Sequence, residues 1–197
     1  MVVATSDGKR AFVANIRSGS VTAIDLESGE KIRDIKTGSG AEGIAITPDG
    51  KELWVSNRAG DTLTVIDVSS LEVLEQIDCP GYPIRIAITP DGKTVLVSCA
   101  RNGEIAAFHR KRRKEVARKK YDLEPVEDTE GRLFAGSFGG SAVPVGLVVA
   151  PDGRRAFVAA TQADVVLVID PSTLEIEKTL QAGREPDGMA YSKVAAN

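Results

Sequence analysis

Few residues in this chain could do acid–base or nucleophilic work: one histidine, His109, two cysteines, Cys79 and Cys99, and aspartates recurring at fixed intervals. A Ser-His-Asp triad would have to use His109. A metal site with one His and no Cys cluster is short of ligands. His109 therefore reads as a surface turn residue, and no catalytic residue, metal or cofactor is expected. Asp25, Asp67 and Asp170 each follow a Val-Ile or Ala-Ile pair. Asp7, Asp49, Asp91 and Asp152 each precede a glycine. An active site needs one constellation, not one copy per repeat. Aspartate accepts bonds from backbone N–H groups just downstream, so both sets read as turn formers. Two cysteines are too few for a disulfide framework, and without a CxxC no structural zinc is expected. Two free, partly buried thiols are the preferred reading, and a single Cys79–Cys99 bridge is the alternative.

The elements that must position these residues are marked by one phrase. Thr47-Pro48-Asp49-Gly50-Lys51 returns as Thr89-Pro90-Asp91-Gly92-Lys93 and as Ala150-Pro151-Asp152-Gly153-Arg154, with a looser copy at Thr5-Ser6-Asp7-Gly8-Lys9. Pro presets one corner, Asp bonds its own backbone and Gly takes the positive φ, so the phrase is a hairpin bend. Its aspartates lie 42, 42 and 61 residues apart, the last gap holding a 19-residue insertion. Val13-Ala14-Asn15, Val55-Ser56-Asn57, Val97-Ser98-Cys99 and Val158-Ala159-Ala160 keep the same offsets. Such a period signals a repeat architecture.

Each unit carries four short segments rich in Val, Ile, Leu and Thr; in the second they are 43–47, 52–57, 62–67 and 72–77. We label them A to D. A repeated four-stranded antiparallel unit of this size predicts an all-β fold, a β-propeller. The units run over about 1–42, 43–84, 85–145 with the insertion near 122–141, and 146–187, followed by an extra inner strand at 188–192. Phe12, Trp54, Leu96 and Phe157 occupy one B-strand position and are expected between blades, in the core.

Glu42-Gly43-Ile44-Ala45-Ile46-Thr47-Pro48-Asp49-Gly50-Lys51, then Trp54-Val55-Ser56-Asn57, then Leu63-Thr64-Val65-Ile66-Asp67, resemble the YVTN-type repeat of YncE-like β-propellers. The likeness covers nearly the whole chain outside the insertion. It implies the propeller fold, an exported or periplasmic location, and in many relatives seven blades. It implies little about activity, since function lives in sites grafted on folds.

Alternating strand direction sorts the loops onto two faces. The D–A and B–C loops share the face where propellers hold central ligands. The D–A loops span 37–42, 78–83, 121–144 and 181–186, and three end in Pro83, Pro144 and Pro186. Pro there reads as fixing the start of strand A. The third loop contains the insertion. Its first half, 124–131, is acidic and expected to be mobile; its second half, 132–141, mixes Phe with Gly and Ser and is a candidate lid. Gly136–Ser141 lacks the Lys and the following helix of a P-loop. The candidate ligand-binding set is Arg132, Phe134, Ser137, Phe138, Tyr82 and Arg184. Arg110, Lys111, Arg112 and Arg113 are the candidate partner patch. Their place on the C–D turn and outer strand favours a plainer role, keeping a sheet edge from pairing.

Charge supports the same reading. Net charge is −3, yet eight basic residues and one acidic residue lie between Arg110 and Lys120, leaving an acidic body. No nucleic acid partner is expected. No apolar run is long enough for a membrane span, and the N-terminal residues do not form a signal peptide. Both ends of the chain read as strand A. The preferred reading is a C-terminal part of a larger, about seven-bladed ring; a four-blade ring with a displaced strand and two paired arcs are the alternatives. An open arc exposes apolar blade faces and predicts self-association. The function expected is a non-catalytic scaffold that binds a protein or small ligand on the D–A/B–C loop face. A propeller enzyme, a lactonase-like hydrolase or a cofactor-dependent oxidoreductase domain, is the alternative.

Overall fold

A computed structural model of the chain describes residues 1–192 except Pro125, Asp128, Thr129, Ala135, Gly136, Gly139 and Gly140. The end of the tail and three glycines of the Gly-Ser stretch thus lie outside the described residues. Among the described residues, sixteen strands form four antiparallel sheets, each in the simple order A-B-C-D. Blade 1 comprises β1 (Val2–Ala4), β2 (Arg10–Asn15), β3 (Ser20–Asp25) and β4 (Lys31–Lys36). Blade 2 comprises β5 (Ala41–Ile46), β6 (Glu52–Asn57), β7 (Thr62–Asp67) and β8 (Val73–Asp78). Blade 3 comprises β9 (Pro83–Ile88), β10 (Thr94–Cys99), β11 (Glu104–His109) and β12 (Lys114–Lys120). Blade 4 comprises β13 (Pro144–Val149), β14 (Ala156–Ala160), β15 (Val165–Ile169) and β16 (Ile176–Gln181). The predicted B and C strands of blade 2 match; strand A starts two residues earlier than expected and strand D one residue later.

The turns work as the aspartates suggested. Asp49 Oδ1 accepts the Thr47 hydroxyl at 2.6 Å and the Lys51 N–H at 3.2 Å. Asp67 Oδ1 accepts the Ser69 and Ser70 N–H groups at 2.9 and 2.8 Å. His109 stands in the equivalent place, and its Nδ1 accepts the Arg112 N–H at 3.3 Å. A ring nitrogen thus replaces a carboxylate oxygen in the same turn.

Pleat parity builds the core, because alternate residues of a strand face opposite neighbours. Phe12 and Val21 meet Leu53, Val55 and Ile66 between blades 1 and 2. Trp54 and Val65 meet Val95, Val97 and Phe108 between blades 2 and 3. Leu96 and Ile105 meet Ala156, Val158 and Leu167 between blades 3 and 4. Each such side chain contributes about 1.5–3 kcal/mol by leaving water. Phe157 departs from the expectation. It is only half-buried, since Ala156 and Val158 take the side facing blade 3 and Phe157 faces the free side of blade 4.

Inner strands approach closely. Ser56 Oγ accepts the Gly43 N–H and donates to the Ile84 carbonyl, both at 2.9 Å, so one hydroxyl joins two blades. Ser98 repeats this with the Arg85 N–H and the Val145 carbonyl. The Asp187 carbonyl lies against Gly146 as the Ile84 carbonyl lies against Gly43. The chain after blade 4 therefore follows the track of an inner strand. Residues 188–192 carry no ladder of their own, because a strand needs a hydrogen-bonded neighbour and strand B of a further blade is not among the described residues.

Candidate functional site

The loop face is shaped by backbone conformation first. The position before β5, β9 and β13, and its equivalent before Pro186, is left-handed: Gly40, Tyr82, Val143 and Glu185, with φ of 76°, 63°, 51° and 57°. Glycine adopts this freely; Tyr and Val do so at a cost of about 1–3 kcal/mol. Two B–C loop aspartates hold the strained residues in place. Asp61 Oδ1 accepts the Tyr82 N–H at 2.8 Å, and Asp164 Oδ1 accepts the Glu185 N–H at 2.9 Å.

Tyr82 is the centre of an aromatic and cationic cluster. Its ring centroid lies 5.0 Å from that of Phe138, which stacks on Phe134 at 5.4 Å. The Arg58 and Arg101 guanidinium carbons lie 5.4 and 5.3 Å from the Tyr82 ring centroid. That is within cation–π range. Arg101 is also tied to Asp61 at 3.1 Å. Beneath the rings sits a small apolar floor of Ile84, Ala100, Val143 and Val145. All three rings remain half-buried, so part of each is open to a ligand.

Next to this cluster the inner strands carry charge. Arg85 stands where blades 2 and 4 have Gly43 and Gly146. It bonds Glu42 at 3.1 Å and Asp187 at 3.2 Å. Glu42 is also gripped by Arg58 at 2.6 Å. Both carboxylates are thus occupied by guanidinium groups.

Two of the other candidates, Arg132 and Arg184, fasten the insertion. Arg132 has a side chain only 2% exposed and makes a two-pronged pair with Asp164 at 2.9 and 2.6 Å. These bonds from Arg132 hold the Asp164 carboxyl down at about 2. Arg184 donates to the Glu130 carbonyl. Ser137 is exposed and its N–H closes a turn on the Phe134 carbonyl. Ser141 Oγ donates to the Ala100 carbonyl at 2.8 Å, and Gln162 accepts from Val126. The insertion therefore bridges the B–C loops of blades 3 and 4.

These blades and this face can be compared with known proteins. The model of the YNCE-like beta-propeller family matches residues 1–120, more than half of the chain. The chain belongs to the YNCE-like β-propeller family. No curated protein matches it. Among solved structures, the YNCE-like chain is similar to hydrazine synthase of Kuenenia stuttgartiensis, with a TM-score of 0.77 and 22% identity. That alignment covers 90% of this chain and 47% of the other. A functionally unknown protein from Desulfotomaculum acetoxidans gives a TM-score of 0.79 at 15% identity, covering 98% and 59%. A catalytically inactive virginiamycin B lyase from Staphylococcus aureus, solved with quinupristin, gives 0.74 at 15%, covering 95% and 57%. The YNCE-like chain thus spans about half the length of these proteins. At such identities the likeness establishes the fold.

Of the six ligand-set candidates, the structure brings Tyr82, Phe134 and Phe138 into one cluster. Arg132, Arg184 and Ser137 lie in the surrounding loop framework. Arg58, Arg101, Asp61, Arg85 and Glu42 are site residues that sequence reading passed over. Aligning the units would have flagged Arg85, which stands in a glycine column. The basic segment forms the opposite rim. Arg110 reaches Asp49 at 2.8 Å and Glu52 at 2.9 Å, and Arg113 reaches Glu52 and Glu75. Lys111 and Arg112 stay exposed.

Proposed function

We propose that this YNCE-like propeller is a recognition scaffold whose D–A/B–C loop face binds a protein segment or small ligand without chemical turnover. The observation that supports this most is Tyr82. It is a half-exposed ring in a left-handed backbone position, within reach of two guanidinium groups and tilted against Phe138 of the insertion. Strain of this kind is retained where the surroundings over-determine a residue, often at ligand sites. Aromatic side chains and arginine are also the residue types that dominate binding energy. A ligand suited to this face carries a flat apolar group beside a negative charge. The location we propose is exported or periplasmic. Among the described residues, no helix is long and apolar enough to cross a membrane.

The test is a titration, by heteronuclear NMR, with short peptides that place an aromatic residue next to a carboxylate. Shifts should concentrate on Tyr82, Arg101 and Ala100. Tyr82→Ala should weaken binding by roughly tenfold or more. Binding that ignores this substitution, or that maps to the A–B/C–D face, would overturn the reading.

The neighbours named as a lyase and a synthase favour a second reading, a propeller enzyme. Turnover of a lactone in the presence of divalent metal, lost in Glu42→Gln, would establish it in place of the scaffold.

A further inference from the structure

Cys79 and Cys99 come from different blades, yet their sulfurs lie 3.8 Å apart. Both side chains are fully buried. Cys79 opens the loop that carries Gly81 and Tyr82, and its N–H is anchored on the Asp61 carbonyl at 2.8 Å. Cys99 ends β10 and is followed by Ala100 and Arg101, whose N–H groups bond the Tyr82 and Gly81 carbonyls. In blades 1 and 2 the position of Cys99 is held by Asn15 and Asn57, which bond Thr22 and Thr64 within their own blade. Blade 3 has exchanged that internal bond for a sulfur aimed at the neighbouring blade.

We propose that Cys79 and Cys99 are a disulfide-forming pair, a covalent staple between blades 2 and 3 beneath the Tyr82 cluster. Bond formation requires the two sulfurs to close from 3.8 Å to about 2.05 Å. Cys99 is the better nucleophile. The hydrogen bond shared with Cys79 and the charge of the Arg118 guanidinium both lower its proton affinity. The hydrogen bond to Cys99 and burial both push the Cys79 thiol up. The oxidant is a peroxide. The Cys99 thiolate attacks one peroxide oxygen and the O–O bond breaks; the other oxygen leaves as hydroxide, takes a proton and becomes water. The Cys79 sulfur then attacks the resulting sulfenic sulfur, the S–S bond forms, and the second oxygen leaves as water. Two thiols lose two electrons and two protons in all, and one peroxide becomes two waters. Both sulfurs are shut off from water, so peroxide enters by local opening of the chain beside Cys79, where Asp78 and Pro80 are exposed.

Mild hydrogen peroxide is added to the folded, reduced chain, and the product is mapped by non-reducing peptide mass spectrometry. The expected product is a monomer lacking two hydrogens, with a Cys79–Cys99 linked peptide, reversed by dithiothreitol. The thermal midpoint of the oxidised chain should rise by roughly 5–10 °C. Cys79→Ser should show no such rise; if that variant is poorly folded, the oxidised and reduced native chain alone carries the comparison. Two thiols still free after treatment, sulfinic or sulfonic products, or a linkage between two chains would each overturn the proposal.

Discussion

At the scale of single residues, the aspartates divide into turn formers and structural anchors such as Asp61 and Asp164. Asp49, held by the Thr47 hydroxyl and then Arg110, and Asp67, held by the Ser69 hydroxyl, both titrate at about 2, as does Asp164 beside Arg132. In the unfolded chain an aspartate titrates near about 3.9. A depressed folded value adds stability above the unfolded value and loses it as pH falls through the folded one. Thermal midpoints measured across acidic pH should therefore be level above about pH 4.5 and fall between about pH 4 and 2. Arg132→Ala removes one partner of a pair whose guanidinium is shut off from water. It should cost roughly 2–4 kcal/mol by urea unfolding. Arg132→Lys keeps the charge but not the two-pronged fork, and should fall between.

At the scale of elements, the design rests on how closely inner strands approach. A Cβ added at Gly43 would sit 2.2 Å from the Ile84 carbonyl oxygen and 2.5 Å from Ser56 Oγ. The nearer contact is backbone of the neighbouring blade, and the Ser56 hydroxyl is fixed by its two hydrogen bonds, so little room is left to yield. Gly43→Ala should destabilise by roughly 1–3 kcal/mol in denaturant unfolding. Gly60→Ala is the control, since nothing lies within 3.4 Å of its added Cβ; it should change stability by less than about 0.5 kcal/mol. The same column explains Arg85. Its side chain is accommodated between Glu42 and Asp187, where a charge is matched on two sides. The basic run on β12 and the turn before it has a comparable explanation. Arg113 and Arg118 are spent on carboxylates of blades 2 and 3, so a run that looks like a patch in sequence is largely a set of ion pairs in space.

At the scale of the whole molecule, the four blades leave two sheet faces without a neighbouring blade among the described residues. Val2, at 61% exposed, stands on blade 1, and half-buried Phe157 and Val166 stand on the free side of blade 4. By repeat position, Ala11, Val13 and Ile24 match Leu53, Val55 and Ile66, the residues that receive Phe12. The free side of blade 1 is thus the kind of surface that the free side of blade 4 is shaped to meet. Sedimentation velocity should show concentration-dependent association, weakened in Phe157→Lys without loss of the β-sheet circular dichroism. A chain that stays monomeric at all concentrations would count against association through these faces.

The blades, the turns and the face on which the insertion emerges were legible in the sequence, because they depend on local chemistry repeated at a fixed period. Asp-Gly bends, Val-rich strands and Asp or His turn caps each act within a few residues. The pairing of Tyr82 with Phe134 and Phe138 was legible only in part, as membership of one loop face. What the tertiary structure alone decided is which side chains meet across blades. Arg58 and Arg101 reach one ring, Arg85 bridges two carboxylates 145 residues apart in number, and two cysteines from successive blades come into contact. Those meetings follow from the angle and spacing at which sheets pack, and the period of a repeat says nothing about them. The same packing moved Phe157 out of the core, because a residue is buried between blades only where a second blade stands against it.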